Sequence, residues 1–392
     1  MRILFLAGGS PATVFAFAPL ATAARNAGHE VFVATIEENV PFVEGVGLPP
    51  VPVAVMADLE ILARDGSDRP AETLRDPVRQ MRLVGRWYAR MARGSMDGLT
   101  RLTESWRPDL VVGGRLAYAG QLIAARLGVP YVRHPWGLGD WGGYDVGGAE
   151  ELASGQGGAG SDPLPAPAMA LDICPPALVP EGSASAEPGQ LLRWIPANLQ
   201  RRLEPWMYTK GERRRICVTT GTRVTEEKSK DENTFDALGR NSDFLRELAA
   251  TAARLDAEIV VAAPDDVARR LREELPDVRA GWIPLDVLAP TCDLIVSHGG
   301  TNTSMVALNA GVPQLNITKM YISEAQSTLI SDFGAGLTIP VAEAGADRVE
   351  AACEELLSRP AYAKRAREGA ADMAAMPSPA AVVGKLEDLA AA

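Results

Sequence analysis

The chain alternates short apolar runs with segments of helical periodicity. Residues 3–7 form a continuous apolar run that ends at Gly-Gly-Ser-Pro, which predicts a buried strand followed by a turn. Pro19 fits the first turn of a helix over residues 20–27, Gly28 fits its end, and residues 30–34 form the next strand. This order of strand, glycine loop, helix and strand is typical of a doubly wound parallel sheet.

The same alternation continues through both halves of the chain. In the first half, strands are predicted at residues 107–114 and 129–132, with a helix over 117–127 between them. In the second half, the predicted strands are 215–219, 258–263 and 293–297, and the predicted helices are 242–255, 265–274 and 344–371. The sequence therefore predicts an α/β protein of two doubly wound, Rossmann-like domains that face each other across a cleft.

Two segments between the halves lack a regular pattern. Residues 137–162 are rich in Gly, Ser and Asp, a composition too flexible for a core element, and could form a spacer or a lid. The proline-rich residues 163–205 indicate a linker. We therefore expect an N-terminal domain at 1–207, a C-terminal domain at 208–376, and a tail at 377–392 that can pack back on the N-terminal domain.

A long helix is predicted from Pro77 to Leu102, with apolar residues at helical spacing along one face. This stripe has two interpretations. Packing against the core is the ordinary one. In the other, large apolar side chains of the helix line a pocket for an acceptor substrate. The side chains concerned are Met81, Trp87, Tyr88 and Met91.

Composition excludes several classes of protein. The 392 residues are 47% hydrophobic and 23% charged, an ordinary globular balance, and the net charge is −11. This acidic balance disfavours nucleic acid and anionic membranes as partners.

The four cysteines are far apart and form no CxxC pair, which argues against zinc-ribbon, iron–sulfur and disulfide scaffolds and favours a reducing compartment. The first apolar run is too short for a secretory signal, and no run reaches the ~18 residues of a membrane span, so a cytoplasmic protein is expected.

The most informative stretch is residues 292–304, with the sequence CDLIVSHGGTNTS. A predicted strand ends at His298, two glycines allow the backbone to approach a ligand, and a helix begins at Thr301. Free N–H groups and the positive end of the helix favour an anion such as a diphosphate. His298 adds a hydrogen-bond donor that can be neutral or charged near pH 7.

Four segments together resemble one known family. They are the N-terminal strand with the stretch at 19–31, the strand and loop at 214–224, Gly-Trp-Ile-Pro at 281–284, and the motif at 298–315. Along nearly its whole length the chain is similar to the GT-B glycosyltransferases, in particular the antibiotic-type family 1 enzymes of actinomycete aromatic-polyketide and macrolide pathways. That resemblance implies a C-terminal domain that binds a nucleotide sugar and an N-terminal domain that binds the acceptor.

The resemblance also implies a type of chemistry. Members transfer the sugar in one in-line displacement that inverts the anomeric carbon, which needs a base on the acceptor side. Because the chain lacks Asp-x-Asp and has only three histidines, we expect no metal and no other cofactor. The expected partners are small molecules, a TDP-deoxysugar and an aromatic polyketide, and a homodimer is left open.

Carried over by motif, the donor site falls in the C-terminal half of the chain. The resemblance implies that Trp282 stacks on the nucleobase and that the backbone of Ile283 pairs with the polar edge of the base. The diphosphate is expected to contact His298 and the N–H groups near Gly299, Gly300, Asn302 and Thr303. We expect Thr220, Gly221 and Thr222 to close over the phosphates, and Ser323 and Glu324 to contact the sugar.

Val306 bears on the identity of the nucleotide. Related enzymes that use UDP-sugars often carry a carboxylate at this place, where it binds the ribose diol. An apolar side chain cannot make those hydrogen bonds, whereas a 2′-deoxyribose lacks one of the two hydroxyls. A TDP-deoxysugar is therefore the expected donor.

The acceptor side departs from the family pattern. Many relatives carry a catalytic His in the loop before the first helix, where this chain has Thr13, with Ser10 nearby. Neither hydroxyl is a base by itself, so His134 and Asp140 are the candidates for proton removal, and Ser10 is kept as a further catalytic candidate. Asp140 is favoured because neighbouring tryptophans, Trp136 among them, can desolvate it and make it a stronger base. Thr13 and Trp136 are also expected to lie beside the acceptor.

The missing His favours one kind of acceptor chemistry. A phenolic polyketide ionises partly near pH 7, and its ring carbon ortho or para to the phenolate can then attack with only a weak base present. This favours C-glycosylation, while attack by the phenol oxygen stays open. A catalytically inert partner that activates another transferase is a further alternative. A dehydrogenase is disfavoured because Gly8-Gly9-Ser10-Pro11 is not GxGxxG.

Overall fold

A computed structural model of the chain shows two domains, each built around one parallel sheet. It describes residues 1–56, 58, 76–138, 142–154, 164–179, 189–219, 242–318 and 321–392. Within these residues the N-terminal sheet has seven strands and the C-terminal sheet has six. The predicted class, α/β with two Rossmann-like doubly wound domains, is confirmed.

The strands of the N-terminal sheet lie in the order β3-β2-β1-β4-β5-β6-β7. Their bounds are β1 Arg2–Leu6, β2 Glu30–Ile36, β3 Pro50–Ala54, β4 Leu110–Gly114, β5 Tyr131–His134, β6 Met169–Asp172 and β7 Gln190–Leu191. Apart from Arg2, every residue of the central strands β1 and β4 is buried. Both faces of these strands are covered, which explains why their sequences are continuous apolar runs without alternation.

The strands of the C-terminal sheet lie in the order β10-β9-β8-β11-β12-β13 and pair in parallel. Their bounds are β8 Arg214–Thr219, β9 Ala257–Ala262, β10 Arg279–Gly281, β11 Leu294–Ser297, β12 Gln314–Thr318 and β13 Gly336–Pro340. In both sheets the loops after the carboxyl ends of the strands meet at one edge, which is where doubly wound sheets bind their ligands.

The helices that surround the sheets are α1 Pro11–Asn26, α2 Val40–Gly45, α3 Pro77–Ser105, α4 Tyr118–Leu127, α5 Gly142–Ser154 and α6 Pro205–Tyr208 in the first part of the chain. In the second part they are α7 Ser242–Arg254, α8 Asp265–Glu274, α9 Leu285–Leu288, α10 Thr301–Asn309, α11 Tyr321–Phe333, α12 Ala346–Ser358, α13 Pro360–Ala375 and α14 Pro379–Ala391. Among the described helices, none combines the length and the apolar character needed to cross a membrane.

The first helix starts at Pro11, and the prediction that it starts around Pro19 is wrong. Pro11 takes the first helical position, where a missing N–H leaves no helical bond unmade. Residues 13–18 are all buried, so this stretch is apolar on every side and shows no helical period. Pro19 lies inside the helix, where it removes the bond to the carbonyl of Phe15.

The glycine-rich segment also forms a core element, so the prediction of a flexible segment throughout 137–162 is wrong for α5. The glycines let α5 lie directly on α3. A Cβ placed on Gly147 would overlap the carbonyl oxygen of Arg82, and one placed on Gly85 would overlap the carbonyl oxygen of Tyr144. At these positions the absence of a side chain allows the backbones of the two helices to pack closely.

Two further predictions need correction. The proline-rich segment is more than a linker, because β6 and β7 extend the N-terminal sheet beyond β5. Residues 344–371 are not one helix, since α12 ends at Ser358 and α13 begins at Pro360. A proline disfavours helical geometry in the residue before it, and Arg359 is accordingly extended.

The last helix crosses back to the N-terminal domain and lies against α1. His29 Nε2 is 2.9 Å from Glu387 Oε1, and the N–H of Arg193 donates to the carbonyl of Pro377 at 2.8 Å. The chain after residue 376 therefore contacts the domain in which the chain begins.

Candidate active site

The His298 motif forms a tight turn between β11 and α10. Gly299 has a φ of +71°, a left-handed conformation that favours glycine, and its N–H donates to Ser297 Oγ at 3.1 Å. A Cβ placed on Gly300 would overlap Nε2 of His298, so the imidazole lies directly against this glycine. Both glycines are thus required by the geometry of the turn.

A buried polar network supports this turn from below. Ser297 Oγ donates to Asn316 Oδ1 at 3.1 Å, and Asn316 Nδ2 donates to Gln314 Oε1 at 3.1 Å. Gln314 Nε2 then donates to the carbonyl of Ser304 at 3.2 Å, which connects β12 to α10. The glycine motif by itself does not predict this network. Its signal in the sequence is a polar Gln and Asn at alternate positions of the fully buried strand QLNIT.

The first turn of α10 lies against α1 of the N-terminal domain. Gly300 is the N-cap and supplies no side-chain cap, so a bound anion could accept from the N–H groups of this turn. Asn302 Nδ2 donates to the carbonyl of Ala12 at 2.9 Å, and its Oδ1 is buried without a hydrogen-bond partner among the described residues. Thr303 lies beside it and is almost fully buried.

Across the cleft lies the turn between β1 and α1. Ser10 is the extended N-cap of α1, and Thr13 Oγ1 donates to the carbonyl of Ser10 at 2.7 Å. The side chain of Thr13 is buried, and its hydroxyl closes the turn. The first turns of α1 and α10 therefore meet across the two domains, through the bond from Asn302 to Ala12.

Of the two candidate bases, the structure describes only His134. Its ring is 2% exposed, Nδ1 donates to the carbonyl of Pro135 at 2.6 Å, and Nε2 has no partner among the described residues. Burial lowers the pKa of His134 to about 4, so the imidazole is neutral at pH 7 with its lone pair on Nε2. The protein covers this lone pair, and the role of His134 as a base stays a prediction. Asp140 lies outside the described residues.

Three of the four predicted acceptor-side residues of α3 gather near the end of β1. Trp87 and Tyr88 make an edge contact with ring centroids 5.1 Å apart, and they lie in one cluster with Met91. A Cβ placed on Gly9 would lie 3.6 Å from Met91 Cε. Met81 lies ten residues before Met91, which is about 15 Å along the helix at ~1.5 Å per residue. Its side chain packs against Gly143 of α5. Thus Trp87, Tyr88 and Met91 form an apolar wall beside the β1–α1 turn.

Trp136 lies at the end of the neighbouring strands. A Cβ placed on Gly114 would lie 3.4 Å from Trp136 Cε3, so the indole covers the end of β4. The next two residues, Gly137 and Leu138, run against the C-terminal domain, where the N–H of Leu138 donates to Gln326 Oε1 at 2.8 Å. The sequence does not single out Gln326, because its partner Leu138 is remote along the chain.

The predicted base-binding segment lies in the loop after β10. Trp282 is half-buried, and its Nε1 donates to the carbonyl of Leu199 at 3.4 Å. The Arg201 guanidinium lies over the indole, 5.3 Å from its centroid, and bonds Asp265 at 2.7 Å. Ile283 is buried. The indole is therefore held by the segment that joins the two domains.

The remaining predicted donor residues are only partly described. Thr220, Gly221 and Thr222 lie outside the described residues, as does the side chain of Ser323. Glu324 is exposed on α11. Within the described ranges, no group of three or more His, Cys, Asp or Glu side chains is placed to hold a metal ion.

Comparison with known proteins connects this geometry to a family. Residues 22–221 match the N-terminal domain of the erythromycin biosynthesis protein CIII-like family, and residues 246–389 match its C-terminal domain. An L-demethylnoviosyl transferase of Streptomyces niveus is 32% identical over 97% of this chain and 96% of its own. The elloramycin glycosyltransferase ElmGT of Streptomyces olivaceus is 32% identical over 98% of this chain and 97% of its own.

A solved structure agrees with these relatives. The glycosyltransferase SsfS6 of Streptomyces sp. SF2575, complexed with thymidine diphosphate, superposes with a TM-score of 0.82 at 31% identity and covers 99% of both chains. Sequence, domain matches and fold all lead to the same group of enzymes. The chain is therefore a GT-B glycosyltransferase that belongs to the antibiotic-type family 1 deoxysugar transferases.

Proposed function

We propose that this enzyme transfers a deoxysugar from a TDP-sugar to an aromatic polyketide during antibiotic biosynthesis. The observation that carries the proposal is the arrangement of α10. Its uncapped N-terminus follows the His298 turn and faces the β1–α1 turn of the other domain, with Asn302 bonded to Ala12. A diphosphate bound there lies close to the β1–α1 turn, beside which the apolar wall of Trp87, Tyr88 and Met91 offers a surface for an acceptor.

Two observations favour thymidine over uridine in the donor. Val306, in the second turn of α10, is buried and apolar, so it offers no hydrogen bond to a ribose diol. SsfS6, which is similar along the whole chain, has been solved with thymidine diphosphate. ElmGT, named for elloramycin, supports a polyketide-type acceptor.

The proposed reaction is a single in-line displacement with inversion and without a metal ion. The bond from the anomeric carbon to the diphosphate oxygen breaks while the acceptor nucleophile bonds the opposite face of that carbon. Negative charge develops on the departing diphosphate, where the N–H groups of the first turn of α10 and His298 stabilise it. The acceptor proton passes to a base on the N-terminal side, for which Asp140 is our candidate.

We propose carbon as the preferred nucleophile. Thr13 stands where many relatives carry a His. Its hydroxyl donates to the carbonyl of Ser10, and a hydroxyl is too weak a base to take a proton from an alcohol. A phenolic acceptor needs less help, because it is partly ionised near pH 7. O-glycosylation of the same acceptors is the first alternative. The second alternative is that the protein has no activity of its own and activates another transferase, which the absence of a His at position 13 also favours.

Titration and product analysis test these proposals together. We expect thymidine diphosphate to bind more tightly than uridine diphosphate, and TDP-deoxysugars incubated with a panel of phenolic polyketides to give glycosides detected by mass spectrometry. A product that survives acid hydrolysis is C-linked, whereas an O-glycoside releases its sugar. Nucleotide binding without any product supports the activating partner, and absence of nucleotide binding contradicts the proposed donor site.

A further inference from the structure

A second contact between the domains lies at Gln326, outside the predicted site. This residue of α11 is fully buried, which is unusual for a glutamine. Its Oε1 accepts from the N–H of Leu138 at 2.8 Å, and its Nε2 donates to the carbonyl of Thr301 at 3.4 Å. One side chain therefore bonds both the loop after β5 and the first residue of α10.

The loop after β5 is shaped for this contact. A Cβ placed on Gly137 would lie 2.5 Å from Gln326 Oε1 and 2.7 Å from Thr301 Cγ2. Any larger residue at 137 forces the loop away from both groups. Leu138 is itself buried, so water does not readily replace Gln326 as the acceptor for its N–H group. Gly137 and Leu138 of the N-terminal domain are thus complementary to Gln326 and Thr301 of the C-terminal domain.

The first residues of α10 are held on two sides by the N-terminal domain. Asn302 bonds Ala12 in the β1–α1 turn, and Gln326 connects Thr301 with Leu138 in the β5–α5 loop. These two loops follow β1 and β5, and the first of them lies against the apolar wall at Met91. The end of α10 that is proposed to bind the diphosphate is therefore fixed relative to the acceptor side.

We propose that Gln326 is a positioning residue, which holds the acceptor-side loop at a fixed distance from the N-terminus of α10 and so sets the approach of acceptor to sugar. The inference rests on the proposed function of α10. In-line transfer is sensitive to this distance, since a displacement of about 1 Å costs as much as ~100-fold in rate. Gln326 touches neither substrate in this account and acts only through the two backbone groups that it bonds.

The test compares Gln326→Met with Gln326→Glu. Methionine keeps the length and packing but makes no comparable hydrogen bond, whereas glutamate keeps an oxygen that accepts from Leu138. We expect kcat to fall about 10- to 100-fold in Gln326→Met with thymidine diphosphate affinity within about twofold of wild type. Gln326→Glu should recover a substantial part of the lost rate. Thr328→Ala, an exposed change on the same helix, is the control and should behave as wild type.

A readout that does not need activity separates this inference from the proposed function. In hydrogen–deuterium exchange, Gln326→Met should speed exchange in the peptide that contains Leu138 and leave the strands of both sheets unchanged. Wild-type exchange at Leu138, or wild-type kcat in Gln326→Met, overturns the positioning role. If the wild-type protein binds no thymidine diphosphate while the exchange effect is present, the proposed function is wrong and the contact itself stands.

Discussion

The two domains share one architecture but build their halves of the site in different ways. In the C-terminal domain, one continuous stretch supplies the end of β11, the His298 turn and the start of α10. In the N-terminal domain, the facing surface comes from the β1–α1 turn, the middle of α3 and the loop after β5. The proposed diphosphate site is thus local in sequence, whereas the proposed acceptor side is assembled from distant segments.

This difference has a physical origin. A diphosphate is small and charged, and a strand, two glycines and a helix N-terminus suffice to bind it. A polyketide is large and apolar, so its site needs wide surfaces, which only packed helices provide. On the N-terminal side these surfaces depend on how closely α5 approaches α3, and that distance is set by glycines such as Gly85 and Gly147.

The largest effect is expected on the acceptor side, from Asp140→Asn. Asparagine keeps the size of the side chain and its hydrogen bonds but cannot take up the acceptor proton. If Asp140 is the base, turnover falls ~10²- to 10⁴-fold, and thymidine diphosphate affinity stays nearly constant because the proposed base acts on the acceptor and not on the nucleotide. Steady-state kinetics with one TDP-sugar and one phenolic acceptor, together with nucleotide titration, measure both quantities.

Retained activity at pH 7 in Asp140→Asn removes Asp140 from the mechanism. His134 is then the next candidate, although its buried, neutral ring has to become accessible first. Thr13→His supplies a useful comparison, since an imidazole at this position should increase O-glycoside at the expense of C-glycoside. A change in the ratio of O-glycoside to C-glycoside without loss of nucleotide binding indicates that position 13 acts on the acceptor and not on the donor.

The glycine contacts between α3 and α5 are tested by Gly147→Ala. The added methyl group meets the backbone of Arg82, which cannot rotate away, so we expect destabilisation of ~3 kcal/mol. Urea unfolding measures this change. The control is Gly384→Ala in α14, where no atom lies within 4 Å and alanine should stabilise the helix by about 0.5–1 kcal/mol. Equal effects of the two substitutions contradict a packing role for Gly147.

The same contrast explains which parts of the fold the sequence could predict. The strands of both sheets are short apolar runs whose period and ends are local, and β1, β8 and β9 lie within a residue or two of their predicted places. The helix α5 is not predictable from its own sequence, because glycine usually signals flexibility and its role here depends on Arg82 and Gly85 of α3, which are remote in the chain. Gln326 was missed for the same reason, since its partner Leu138 is remote in sequence.

On the donor side we expect a smaller effect from His298→Ala. The imidazole lies against Gly300 at the start of α10, where it can donate to a diphosphate oxygen. Loss of one hydrogen bond to a charged group weakens thymidine diphosphate binding by ~1–3 kcal/mol, and calorimetric titration measures it. Thermal unfolding of the same variant is the control for folding. An affinity equal to that of wild type in a folded variant removes His298 from the donor site.

The smallest effect is expected from Trp282→Ala, which removes the proposed stacking partner of the base. Base–aromatic stacking is worth ~1–3 kcal/mol, and we expect the lower end of this range because Arg201 already lies over the indole. Trp282→Phe keeps an aromatic face and loses only the weak bond from Nε1 to Leu199, so its affinity should stay near that of wild type. If Trp282→Ala binds thymidine diphosphate as tightly as wild type, the stacking role is wrong. If Trp282→Ala does weaken binding, Arg201→Ala tells which face of the indole the base uses. Affinity rises if Arg201 and the base share a face, and it falls slightly if the guanidinium lies on the opposite face and supports the ring.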